Sequence, residues 1–331
     1  MRGSVILSVL LFASCCSDQN KNPMHGDESL KREPARTTEQ KSGEIWFLAP
    51  QEAAILVREG GKLLDARFYG LYLLSHVSGA RSIHWKDFSV DGTGLLQSIE
   101  DIRTKLEKRG FHRDDMMLVY GGARDGWGEE GRIAWMLRSA GYANSYIVDG
   151  GYEALHPFLG RTSGPIQGEP QLAGSALSSD QISKQKAPDE RLSVSIEQVK
   201  SGMNSEVVIL DTREKREFAG STPYGEDRGG HIPGAVHLYF LDFMQESGFI
   251  LDREAVIELL RKRIHGFDDS NDSAARVEER TYITYCTGGV RSAFAAAVLR
   301  HYGINAYNYP GSMWEWSSQN PADYPLETSG P

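Results

Sequence analysis

Tyr282-Ile283-Thr284-Tyr285-Cys286-Thr287-Gly288-Gly289-Val290-Arg291-Ser292 is the stretch whose reading decides the fold. The β-branched and aromatic run Tyr282 to Tyr285 reads as a buried strand, and the Ala-rich apolar run from Ser292 to Tyr302 as a helix stopped by Gly303. Between them lies a loop headed by a cysteine. A loop entering a helix turns successive backbone N–H groups toward one point, and together with the positive helix end they make an anion cradle. Gly288 and Gly289 let the backbone fold into that cradle without a Cβ clash. Such a place favours the thiolate of Cys286, because helix N-termini and nearby cations lower a cysteine pKa from roughly 8.5. An inert buried thiol is the competing reading, and the flanking glycines and arginine argue against it.

Outward from this stretch, the chain says similar things twice in the same order. Leu63-Leu64-Asp65-Ala66-Arg67 is echoed by Ile209-Leu210-Asp211-Thr212-Arg213, and His76-Val77-Ser78-Gly79-Ala80 by His231-Ile232-Pro233-Gly234-Ala235. Leu118-Val119-Tyr120-Gly121 stands where Ile283-Thr284-Tyr285-Cys286 stands, and the helix ends at Gly141 and Gly303 also match. The first copy therefore has glycine at the cysteine position, and its segment from Gly121 to Gly141 is longer than that from Cys286 to Gly303. Short apolar strands alternate with helical stretches such as Leu95 to Arg109 and Arg253 to Ile264. That alternation predicts parallel strands with helical crossovers, an α/β fold with the cysteine loop at the carboxyl end of a strand. Residues 161–190, rich in Ser, Gly, Pro, Gln and Lys, read as a linker.

The loop Cys286-Thr-Gly-Gly-Val-Arg291 resembles the active-site loop of the rhodanese family, sulfurtransferases that carry sulfur as a cysteine persulfide. The resemblance covers roughly Glu44 to Thr328. It implies two rhodanese-like domains, each a mainly parallel sheet flanked by helices: residues 44–160 without the catalytic cysteine, and a catalytic domain over 191–328. It also implies that Cys286 takes sulfur from a small anionic donor, thiosulfate or 3-mercaptopyruvate, and passes it to cyanide or a thiol, with no metal or cofactor. Thr287, Gly288, Gly289, Val290 and Arg291 would then hold the anionic sulfur, with Arg213 and Arg228 as further substrate-binding candidates. An ion pair of Arg213 with Asp211 that braces the loop is the alternative at that position.

The related cell-cycle phosphatases and arsenate reductases resemble this loop with one residue more, to admit a tetrahedral oxyanion. Six residues from Cys286 to Arg291 point to sulfur instead. Thiosulfate-preferring members resemble Cys-Arg-Lys-Gly and mercaptopyruvate-preferring members Cys-Gly-Ser/Thr-Gly-Val-Thr; this chain departs from both, and Glu217 stands near where the latter carry a carboxylate-binding arginine. A non-catalytic persulfide-binding or redox-sensing module is the non-enzymatic alternative. Elsewhere, His231 reads as the holder of a Pro-Gly turn, and of Trp314 and Trp316 at least one reads as core.

The ends of the chain carry separate information. A net charge of -9 over 331 residues gives no broad basic field for nucleic acid. Met1-Arg2-Gly3-Ser4 followed by Val5 to Phe12 has the charge and short apolar run of a secretory signal. Phe12-Ala13-Ser14-Cys15 then resembles a bacterial lipobox, with phenylalanine where leucine is common. This predicts a signal peptide over 1–14, a lipid on Cys15 as membrane anchor, a polar tether over 15–43, and an exported, periplasmic-side lipoprotein. Of the three cysteines, Cys15 and Cys16 sit at the signal boundary, so Cys286 stands alone in the folded part, without a disulfide framework or Cys/His spacing for zinc.

Overall fold

The computed structural model describes residues 44–165, 192–203, 205–264 and 277–328. The expected signal peptide, lipid site Cys15, tether and most of the linker lie outside them. Two parallel sheets are built in the same order. In the first, the strands run Phe47–Leu48, Ser145–Val148, Met117–Tyr120, Lys62–Asp65 and Arg81–Ser82. In the second they run Asn305–Asn308, Thr281–Tyr285, Val208–Asp211 and Val236–His237, with Ser193 bridging to Asn308 where the first sheet has its opening strand. The duplicated phrases thus fall on equivalent strands. Their apolar runs are buried on both faces, as parallel sheets with helices on each side require.

The expected helices are Ile99–Lys108, Arg253–Arg263 and Val290–His301, the last beginning two residues before the apolar run. Gly303 ends that helix at φ +78°, letting the Ile304 amide turn back to the Leu299 carbonyl at 3.0 Å. Val290 through Leu299 are all buried. A helix that is apolar all round must be covered all round. Here its own sheet covers one side and Glu129–Ser139, the equivalent helix of the first repeat, covers the other. A Cβ on Gly131 would run into the backbone of Phe294, so glycine is what permits the approach. Trp46, Phe47, Ala134 and Trp135 of the first repeat share one core with Phe240, Ala293, Phe294 and Ala297 of the second. Phe47 meets Phe294 edge-on at 5.6 Å.

One expected boundary moves. Arg161–Thr162, assigned to the linker, pairs antiparallel with His76–Val77, so the first repeat keeps hold of the chain two residues longer. Among the described residues no helix is long and apolar enough to cross a membrane.

Candidate active site

Cys286 leaves the carboxyl end of the strand Thr281–Tyr285 and is 1% exposed. The loop is fixed from beneath by the helix Ser312–Ser318, whose Met313 and Trp314 amides bond the carbonyls of Cys286 and Thr287 at 3.1 and 3.0 Å. Ser312, held at φ +49°, accepts from the Cys286 amide at 3.1 Å and donates to the Tyr309 carbonyl at 2.7 Å. Gly289, at φ +78°, caps the helix Val290–His301 and points its N–H at Cys286 Sγ, 3.2 Å away. A Cβ on Gly288 would collide with the Trp314 ring. The two glycines therefore meet different needs: one turns left-handed, and the other lies flat against an indole.

Burial pushes the Cys286 thiol up, but Arg291, the amides of Ser292 and Gly288 and the Ser292 hydroxyl outweigh it, leaving the thiol below its ordinary value. The Ser292 hydroxyl lies 3.6 Å from Sγ and 2.6 Å from Asn308 Oδ1. It has one proton to give, so the shorter bond and the Gly289 N–H divide the work of fixing the site. Arg291 is buried and clasps Glu217 with both terminal nitrogens, at 2.7 and 2.8 Å, while Thr287 Oγ1 takes a third bond at 2.8 Å. Glu217 is 0% exposed. Burial would raise its carboxyl, yet the Arg291 guanidinium and the Thr287 hydroxyl hold it below the usual range.

Above Sγ opens a cavity of about 500 Å³ to which both repeats contribute. Trp127 of the first meets Tyr224 of the second at 5.0 Å, and Trp85 stacks with Trp314 at 6.5 Å. Arg291 faces the Trp127 and Tyr224 rings at 5.8 and 5.7 Å. His84, Lys86 and Glu129 are its other titratable walls. Cys286, Thr287, Gly288, Val290 and Arg291 all reach this cavity, and Gly289 serves it through the N–H on sulfur.

Arg213 and Arg228 do not reach it, which corrects their assignment to substrate. Arg213 grips Asp211 at 2.6 Å and the Gly230 carbonyl at 2.8 Å, while Tyr285 donates to Asp211 at 2.7 Å. The repeat without a cysteine has the same arrangement. Arg67 grips Asp65 and the Ser75 carbonyl, each at 2.7 Å, and Tyr120 donates to Asp65 at 2.7 Å. The same network in both repeats, with and without a cysteine, ties strand to turn. Arg228 donates to the carbonyls of Trp316, Ser317, Gln319 and Tyr324, clamping the C-terminal segment. His231 stacks on Phe218 at 3.6 Å and binds its carbonyl, in the turn as expected. Trp316 is core.

In the first repeat the cradle is plugged. Glu130 stands one residue into its helix, where Arg291 stands in the second. A Cβ on Gly121 would strike the Glu130 carboxylate, which occupies the space a thiol would need. Wholly buried, Glu130 is pushed up to about 8. Reading the sequence missed the Glu217–Arg291 pair. Four residues after each Asp-x-Arg arginine stand Leu71 and Glu217, and Glu130 answers Arg291, so the positions at which the repeats differ in charge were the available signal.

Comparison with known proteins adds an independent line. The family model for a rhodanese-like domain matches residues 49–156 and again 195–319. The protein SseB of Mycobacterium tuberculosis is 28% identical over 296 residues, covering 84% of this chain and 96% of its own length. A thiosulfate sulfurtransferase of Corynebacterium glutamicum is 27% identical over 270 residues, 78% of this chain and 81% of its own. Among solved structures, YnjE superposes with a TM-score of 0.68 at 22% identity, over 90% of this chain and 72% of that one. Wild-type EanB gives 0.65 at 18% identity, over 82% and 65%. These last two likenesses concern the fold.

Proposed function

We propose that this chain, which belongs to the rhodanese family, is a sulfurtransferase that carries sulfane sulfur as a persulfide on Cys286. The observation that carries the reading is Sγ itself, its pKa lowered, met by the Gly289 N–H and facing a cavity that both repeats wall. The Cys286 thiolate attacks the outer sulfur of the donor. The bond to that sulfur breaks and its electron pair leaves with sulfite, or with pyruvate after the enolate takes a proton. A thiolate or cyanide then attacks the terminal persulfide sulfur, and Cys286 departs as thiolate. Two half-reactions through one covalent intermediate give ping-pong kinetics. Backbone donors aimed at the sulfur hold the charge in both. In this reading residues 44–160 are a scaffold and residues 191–328 the catalytic domain.

Treated with thiosulfate or 3-mercaptopyruvate, the protein should gain the mass of one sulfur on Cys286 and release thiocyanate when cyanide is added. Phosphate-ester hydrolysis without sulfur uptake would overturn the proposal. A stable persulfide that no thiol or cyanide discharges would make the chain a sulfur-binding module instead.

The proposal includes export and a lipid on Cys15, supported by the lipobox resemblance. Growth with a fatty-acid analogue should label the parent, and Cys15→Ala should lose the label and enter the soluble fraction. An unlabelled parent rules the anchor out.

A further inference from the structure

Arg132 belongs to the helix Glu129–Ser139 of the repeat that has no nucleophile, yet its guanidinium lies under the loop of the repeat that has one. It is 1% exposed. One terminal nitrogen donates to the Gly289 carbonyl at 3.5 Å; the other donates to the Gly94 carbonyl and to Ser89 Oγ at 3.4 Å. Its Nε has no partner in the described structure. A Cβ on Gly94 would run into the Gly288 and Pro310 carbonyls, so the first repeat delivers both the cation and the close-packed loop that seats it.

Charge is the telling feature. Arg67, Arg213 and Arg291 are also buried, and each grips a carboxylate. Among the described residues Arg132 forms no such ion pair. Burial pulls it down to about 10, and the ionisable neighbour that opposes the fall is Cys286. A buried guanidinium with no counter-charge is costly to hold. Arg291, the cation that the sequence assigned to the sulfur, is already matched by Glu217.

We propose that Arg132 is a second cation serving Cys286 beside Arg291, a positioning residue lent by the repeat without a nucleophile, which holds the glycine whose N–H meets Sγ. It acts from behind the loop. By holding the Gly289 carbonyl, which Asn308 Nδ2 also binds at 3.2 Å, it fixes the residue whose N–H meets Sγ, and it adds positive potential where thiolate and persulfide are anionic. The inference rests on Cys286 as the nucleophile, but it concerns the thiolate and not the transfer.

The pH dependence of Cys286 alkylation by iodoacetamide, measured on the full chain, tests it. The other groups facing the sulfur are the Arg291–Glu217 pair and, across the cavity, His84, Lys86 and Glu129; all stay in place in every variant. Arg132→Met should raise the alkylation midpoint by about one pH unit or more, the size expected on removing a close opposite charge. Arg132→Lys should stay nearer the parent, and Ser89→Ala, which removes a hydrogen bond and keeps the charge, should leave the midpoint in place. An unmoved midpoint in Arg132→Met, or one that Lys and Met shift equally, overturns the proposal. So does a Ser89→Ala shift as large as that of Met. If Arg132→Met does not fold, Arg132→Gln, which keeps a donor for the Gly94 carbonyl, replaces it: a raised midpoint supports the charge role and a parental one overturns it. Alkylation reports on thiolate even in a chain that transfers no sulfur, so the two proposals fail separately.

Discussion

Cys286→Ser will abolish sulfur transfer, by on the order of a thousandfold or more, and adding Gly121→Cys to it will not restore turnover. The serine fits, because the change is small and the loop is held by bonds from Ser312, Met313 and Trp314 that do not involve sulfur. What disappears is the thiol that the proposed mechanism turns into the persulfide. The double variant puts a thiol back at the equivalent strand end, where everything else is wrong for it. Its Cβ would displace the Glu130 carboxylate from a fully buried position. The Arg291 guanidinium lowers the Cys286 thiol, whereas the Glu130 carboxyl would lie against the new thiol and would raise its pKa instead of lowering it. Persulfide mass and thiocyanate release are the readouts, and parental turnover in the double variant would show that the first cradle is competent after all.

Arg291→Ala will cost stability as well as turnover. The resemblance implied a side chain that helps hold the anionic sulfur. The structure changes that expectation because Glu217, wholly buried, would lose the partner that keeps it ionised. Breaking a buried pair from one side costs about 3–5 kcal/mol, and loss of a charge-stabilising donor costs about 10²–10³ in turnover. The pH dependence should change sign. In the parent, Glu217 titrates below its unfolded value of about 4.5, so its contribution is present above that pH and is lost as pH falls through the folded pKa. In the variant only the Thr287 hydroxyl and the Glu214 amide still oppose burial, so the folded pKa rises, the same carboxyl destabilises at neutral pH and the penalty eases on acidification. Denaturant unfolding of both proteins from pH 7 to 4.5 should show the stability gap narrowing. A constant gap, or unfolding with unchanged activity per folded molecule, would refute this account of the pair.

The strand, loop and helix around Cys286 were legible because local chemistry determines them: β-branched residues, then glycines, then an alanine-rich run. The duplication was legible for the same reason, each phrase being a short local pattern. The site beyond the loop was not. Tyr224 and Trp85 reach the cavity, and Glu217 and Arg132 reach the loop, through tertiary packing, from positions scattered over both repeats. Arg213 misled because a buried arginine at a strand end looks the same in sequence whether it serves substrate or a neighbouring carboxylate. Only its counterpart Arg67, bound in the same way where no chemistry occurs, separates the two.

The core in which Trp46, Phe47 and Trp135 pack with Ala293 and Phe294 belongs to neither repeat alone. Amide protons of the helix behind Cys286 can reach bulk water only if one repeat parts from the other, which strips apolar cover from both. Opening there approaches the free energy of global unfolding, and exchange in that helix follows the slowest class of the molecule. The floor of the cavity is consequently as rigid as the chain allows. Its aromatic mouth, where Trp127 is half exposed, lacks that two-sided apolar cover.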